Sequence, residues 1–451
     1  MAGGTLRKRI LGWFCFDWAS QPYNTLLITF IFAPYVKELM GDGTAAQSAW
    51  GFGIGLAGLI IAVLAPVLGA MADNSGNRMQ WIWGFSAMYV IGAAGLWWAA
   101  PDNFNLLLTL CFFALGMIGM ELATIFTNSM LPDLGTREEI GRISGHGWAL
   151  GYCGGFISLL LMLFFFAESG DTGRTFIGLR PALGLDPETR QGTRIVGPLT
   201  ALWYIVFMLP FFLWVYDPKP AGAPPGALKL ALRKVLTTIR HLPRTPSLFA
   251  YLGASMFYRD ALNGMYFFGG IYAAGMLGWT VVDVGFFGIL AIVSGALFAV
   301  VGGHADARFG PKRVIVASIL LLLFVAVSIL FVSRGSIYGI AVAADSNLPD
   351  LAFYVFGIVI GAAGAAGQTA SRTMMVRQAI PGRMTEAFGL YGLAGKATSF
   401  IAPLSIGIVT SLSQSQPIGV TPLIVLFLLG LVLLFWVKPE GDDPWPGARR
   451  H

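Results

Sequence analysis

Long apolar runs alternate with short polar turns along the whole chain. A helix needs roughly 20 apolar residues to cross a bilayer. Twelve such runs can be drawn, at 10–37, 50–72, 80–100, 104–130, 144–168, 196–216, 246–275, 281–303, 312–333, 351–376, 385–412 and 419–437. Most are rich in glycine, which lets membrane helices approach closely. Gly361-Ala-Ala-Gly364-Ala-Ala-Gly367 is the densest case and predicts one small packing ridge. In span one, Pro22 removes a backbone donor and predicts a kink or break. The pattern divides the chain into six spans within 1–216, a linker at 217–245, six spans within 246–437 and a tail at 438–451.

The turn joining spans two and three recurs. Gly69-Ala-Met-Ala-Asp73-Asn-Ser-Gly76-Asn-Arg78 has a worn copy, Gly302-Gly-His-Ala-Asp306-Ala-Arg308-Phe-Gly310-Pro-Lys312-Arg313, between spans eight and nine. Asp73 and Asp306 stand 233 residues apart, close to half the chain. A second pair, Glu138-x-x-Gly141 before Gly147 and Glu386-x-x-Gly389 before Gly395, enters spans five and eleven. Two related halves are the expectation.

Composition strengthens the membrane reading. The chain is 56% hydrophobic and 12% charged, against about 25% charged in ordinary soluble domains. Lysine and arginine set the orientation. With the N-terminus inside, 20 of them fall in inside segments and 6 in outside segments. Both termini are therefore expected to be cytoplasmic, with the chain in the plasma (inner) membrane and its first span retained. The basic amphipathic stretch Leu228 to His241 in the linker suits anionic headgroups. Cys15, Cys111 and Cys153 lie inside apolar runs, so no disulfide framework is expected. His146 and His304 fall near loops, where a solvated role is expected. Neither a metal-ligand spacing nor a phosphate-binding loop occurs, so no cofactor, metal, ATP drive or nucleic-acid partner is expected.

Charged groups inside the spans are the candidate chemistry. Each costs on the order of 2.5–3.5 kcal/mol at mid-bilayer on insertion scales and usually faces a cavity or a partner. Asp17 of span one precedes Gln21-Pro22-Tyr23-Asn24, and Glu121 of span four precedes Asn128. Either carboxyl can serve cargo or a proton, or pair structurally. In span seven, Arg259 and Asp260 are followed by Asn263. Adjacent residues do not share a helix face, so one lines a cavity while the other pairs sideways, and either order fits. Gln368, Ser371 and Arg372 form one stripe of span ten, and Lys396 lies about three turns into span eleven. The aromatics Trp13, Trp18, Tyr23, Tyr258, Tyr266, Tyr272 and Tyr391 shape a pocket or anchor and pack helices.

The Gly-x-x-x-Asp turn resembles the signature loop of the major facilitator superfamily. That resemblance implies an all-α polytopic protein whose twelve helices form two pseudo-symmetric six-helix bundles around a central cavity. It also implies that the loop aspartate caps a neighbouring helix and locks one state. The gating set is then Gly69, Asp73, Gly76 and Arg78, with Gly302, Asp306, Arg308 and Arg313. The sequence departs from the pattern at Asn74, where a basic residue is usual, and by one extra residue before Gly310. Three further stretches narrow the resemblance: Phe16-Asp-Trp-Ala-Ser-Gln-Pro-Tyr23, Glu138 through Tyr152, and Gly367 through Lys396. They look like the UMF1 branch, related to the fungal vacuolar effluxer Atg22, whose fungal members are linked to amino-acid efflux.

The expected function is secondary transport, not catalysis. A small polar or zwitterionic solute, amino-acid-like, would move by alternating access between the halves, with a proton coupled through Glu121 or Asp17. A lipid-linked or peptidoglycan-derived cargo is the alternative within that class. A membrane-embedded enzyme would need a nucleophile–base pair or a metal cluster, and the sequence offers neither. The partners expected are a small solute, protons and the lipid bilayer, with the protein a monomer.

Overall fold

Each of the twelve apolar runs is helical in the computed structural model. The structure describes residues 2–41, 43–75, 78–136, 138–170, 172–217, 233, 236–238, 240–279, 281–343, 345–380 and 382–442. Spans two to ten are each one α-helix over most of their apolar length: Gly43–Ser75, Arg78–Gly95, Leu106–Asn128, Ile140–Phe165, Val196–Trp214, Pro246–Leu277, Val281–Phe309, Pro311–Ser328 and Leu348–Gln378. Three spans are interrupted. Span one runs as an α-helix to Pro22, continues as a π-helix over Tyr23–Phe30 and resumes over Phe32–Met40. The change of winding thus begins at the residue after Pro22, while the turn before the proline stays α-helical. Span eleven breaks between Met384–Ala397 and Ile401–Ser413, and span twelve joins Gln416–Gly419 to Thr421–Leu434. Before span ten, the strands Val332–Ser333, Ser336–Ile337 and Ile340–Ala341 make a small antiparallel sheet absent from the sequence reading.

The chain divides into two compact units, Met1–Met130 with Leu150–Leu228, and Leu131–Ala149 with Lys229–His451. The first half of span five is thus counted with the second unit, and its remainder with the first.

In the first unit, glycines set the helix spacing. A side chain at Gly92 would strike the backbone of Gly116, so spans three and four touch main chain to main chain. Gly151, Gly154 and Gly155 give span five a bare face for span one, where a Cβ at Gly154 would lie 2.5 Å from the Trp18 carbonyl. Span one meets span six through stacked Trp18 and Trp203, 5.8 Å apart. Trp13 Nε1 donates to the Thr127 carbonyl at 2.8 Å, tying span one to span four.

The second unit is assembled around span ten. Its predicted ridge packs as expected, but against three helices. A Cβ at Gly361 would strike the Ala291 carbonyl of span eight, one at Gly364 the Tyr266 hydroxyl of span seven, and one at Gly367 would come 3.2 Å from Ser318 of span nine. Steps of three residues turn about 300°, so successive glycines drift around the helix and reach different neighbours. The end of span seven and the start of span ten are fastened by Arg334, which bonds the Leu277 carbonyl at 2.7 and 2.9 Å and Asp350 at 2.6 Å.

Candidate functional site

Within the first unit, burial singles out two stripes. On span four, Glu121, Thr124 and Asn128 recur at i, i+3 and i+7 and are all half-buried, while their neighbours on the other faces are buried. On span one, Gln21 and Asn24 form the matching half-buried face. Asn24 Nδ2 reaches Met120 Sδ at 3.4 Å, which places the two stripes side by side. Asn128 Oδ1 is buried with no hydrogen-bond partner among the described residues. Asp17 is more enclosed, against the backbone of span five at Gly151. Tyr23 lies off this face. It is fully buried, donates to the Phe113 carbonyl at 2.6 Å and packs edge-on to Tyr89.

The second unit offers a counterpart of opposite charge. Met256, Arg259, Asn263 and Tyr266 form an accessible stripe on span seven. The Arg259 guanidinium lies 4.3 Å over the Tyr391 ring of span eleven, and its Nη1 donates to the Tyr391 carbonyl at 3.3 Å. A Cβ at Gly395 would sit 2.7 Å from that Nη1, so glycine there admits the arginine. An arginine held over an aromatic ring keeps a planar donor fork that matches carboxylates.

Asp260 turns the other way. It is 2% exposed, accepts the Ala402 N–H at 2.9 Å and thereby caps the second half of span eleven. Its Oδ1 has no partner among the described residues. Losing such a cap costs about 0.5–2 kcal/mol. Asp260→Ala is expected to lower the melting temperature of the detergent-solubilised protein, and Asp260→Asn, which keeps an acceptor oxygen, to lower it less. Equal melting of both variants and the parent would remove the capping role.

The predicted stripe of span ten separates. Ser371 is drawn into a buried cluster, bonded through Oγ to Tyr258 Oη at 2.7 Å and through its carbonyl to Tyr251 Oη at 2.6 Å. Arg372 is 5% exposed and lies 5.2 Å over the Trp148 ring, while Gln368 is half-buried. The side chain of Lys396 lies outside the described residues.

The two signature turns differ in their fastenings. Gly69 is buried, Asp73 is half-buried, and Gly76 lies outside the described residues. Arg78 binds Asp217 through Nε at 3.1 Å and Nη2 at 3.2 Å, and the Ser129 carbonyl through Nη1 at 2.9 Å. In the second copy, Gly302 lets Ala366 of span ten within 2.7 Å of where its Cβ would be. Asp306 is fully buried and faces the first turn of span five at Gly141. A carboxylate there complements the positive end of a helix. Gly145 and Gly303 meet backbone to backbone, and Ser144 Oγ donates to the Thr369 carbonyl at 3.1 Å. Just before span five, the N–H and hydroxyl of Thr136 bond Glu139 at 2.9 and 3.1 Å and hold its carboxyl below the usual range. Arg308 and Arg313 are exposed.

Sequence reasoning did not find Asp217, Trp148 or the Tyr251–Ser371 contact. All three work through long-range partners, which local spacing does not reveal.

The family described as vacuole effluxer Atg22 like matches residues 35–441. The chain belongs to this family. Among its relatives, the uncharacterized MFS-type transporter YxiO of Bacillus subtilis is 24% identical over 442 residues, covering 96% of this chain and 95% of that one. Autophagy-related protein 22 of Cryptococcus neoformans is 22% identical over 309 residues, covering 66% of this chain and 50% of that one. The aligned segment thus spans about half the length of the fungal relatives. Among solved structures, the major facilitator superfamily transporter FucP in the outward conformation superposes with a TM-score of 0.71 at 14% identity, covering 96% of this chain and 99% of that one. The human organic anion transporter MFSD10 gives 0.67 at 16% identity, covering 95% and 99%. This Atg22-like chain is therefore a multi-pass membrane transporter with the major facilitator fold.

Proposed function

We propose that the protein carries a small zwitterionic solute of the amino-acid class by alternating access, with a proton moving through Glu121 or Asp17. The observation that carries this reading is Arg259, set over the Tyr391 ring in an accessible stripe beside Asn263. A guanidinium so held takes a carboxylate in two-pronged fashion. The acidic residues of the first unit, Asp17 and Glu121, suit an ammonium group or a proton. The family description as an effluxer supports outward movement of solute from the compartment that holds it.

The test is a thermal-shift panel of amino acids, simple carboxylates, amines and neutral sugars, followed by liposome flux of the hits. Zwitterions are expected to stabilise the protein most. Arg259→Ala should abolish their effect, with Arg259→Lys retaining a part, since a lysine cannot form the two-pronged contact. Stabilisation by neutral sugars alone would overturn the reading. For the proton, Glu121→Gln and Asp17→Asn are each compared with the parent under an imposed pH gradient. Unchanged coupling in both removes these residues from the proton path.

A further inference from the structure

Spans five and six are joined by a loop at about 169–195. From Thr175 to Leu179 it makes a tight turn with an apolar tip. Phe176, Ile177, Leu179 and Leu183 are 77%, 48%, 49% and 82% exposed. Arg174 and Arg180 are exposed beside them. A tight web of bonds holds the turn in shape. Thr175 N–H donates to the Leu179 carbonyl at 2.8 Å, Gly178 N–H to the Thr175 carbonyl at 2.8 Å, and Arg174 Nη1 to the Gly178 carbonyl at 2.8 Å.

The start of the turn is equally fixed. Glu168 and Thr175 pair as an antiparallel bridge. Arg190 clamps the Glu168 carbonyl at 2.6 Å and carboxylate at 3.3 Å with one nitrogen, and Glu38 at the end of span one at 2.6 Å with another. Thr193 adds two bonds to the same Glu168 carboxylate, from its N–H at 3.3 Å and its hydroxyl at 3.1 Å. Ordering costs conformational entropy, and here the ordered side chains at the tip are apolar and uncovered.

The depth of the tip is given by its contact with a membrane helix. Phe176 N–H donates to the Leu163 carbonyl at 3.1 Å, and its ring stacks on Phe164 at 6.0 Å. Both partners belong to the last turn of span five, which runs to Phe165. The tip is therefore level with the end of an apolar span, where hydrocarbon gives way to headgroups. Exposed Phe165 continues the same apolar surface. Aromatic and aliphatic residues flanked by arginine are the composition that settles at this boundary, with guanidinium groups on phosphate.

We infer that the 174–183 segment is a membrane-interface anchor, seating Phe176, Ile177, Leu179 and Leu183 in the bilayer boundary with Arg174 and Arg180 on lipid phosphates. The test uses full-length protein with Cys15, Cys111 and Cys153 changed to serine. A single cysteine is introduced by Leu183→Cys, or by Phe176→Cys in a second variant, and labelled with a polarity-sensitive fluorophore. Glu188→Cys, at an exposed polar position of the same loop, is the reference. Each is reconstituted in phosphatidylcholine vesicles with and without a lipid bearing a nitroxide near its headgroup. Labels at 183 and 176 are expected to emit to the blue, to be quenched by the nitroxide lipid, and to resist aqueous iodide several-fold better than the label at 188. Iodide quenching equal to that at 188, with no lipid quenching, overturns the anchor in favour of a solvated loop. Protection from iodide without lipid quenching, retained in detergent, overturns it in favour of a protein partner.

Discussion

Replacing Arg78 with alanine is expected to destabilise the protein by about 3–5 kcal/mol, the usual result of removing one member of a buried ion pair. The two side chains are only 11% and 6% exposed. Asp217 receives three donors from Arg78, counting its backbone N–H at 3.0 Å. Alanine would leave the carboxylate with that N–H alone, in a site with little water. The same guanidinium also holds the Ser129 carbonyl, so the change loosens the joint between the end of span four and the start of the linker. Melting of Arg78→Ala, Asp217→Ala and the double variant gives the coupling energy. It should clearly exceed the roughly 0–1 kcal/mol typical of exposed pairs. A coupling within that range would mean that the contact is incidental.

Gly145→Leu should reduce transport on the order of tenfold or more. A Cβ built at Gly145 falls 2.5 Å from the Ala299 carbonyl and 3.0 Å from Gly303 Cα. Backbone lies on the far side, so no side chain can rotate out of the way. Overpacking of this kind costs about 1–3 kcal/mol. Spent on one conformer of a cycling transporter, it shifts the population by a corresponding factor. Ser144 supplies a second readout, because it is fully buried beside this contact. Ser144→Cys should resist maleimide in the parent and react in the Gly145→Leu background. A variant that transports like the parent and keeps the cysteine protected would show that the first half of span five need not rest on span eight.

Most of the helical architecture was legible because hydrophobicity reports bilayer crossing directly. The glycine ridge of span ten was equally readable, since it depends on the missing side chain of one residue type. The break in span eleven was not. Pro403 is the only local sign of it, and Pro66 and Pro210 sit inside unbroken helices. What separates the cases is Asp260, 142 residues away, whose carboxylate takes the N–H of Ala402. Arg259 and Asp260 show the same limit. Adjacency required opposite faces, but only packing shows which one meets Tyr391 and which one turns inward. The acidic stripe of span four could be read in part from Glu121 and Asn128, whereas the buried tyrosine cluster around Ser371 could not, because apolar-looking tyrosines carry no positional signal of their own.

Span ten has almost no girth along Gly361, Gly364 and Gly367, and three neighbours rest directly on its main chain. A probe, tag or bulky substitution on that side would push outward in three directions at once. The same tightness makes the helix a common axle: any tilt it undergoes must carry spans seven, eight and nine along with it.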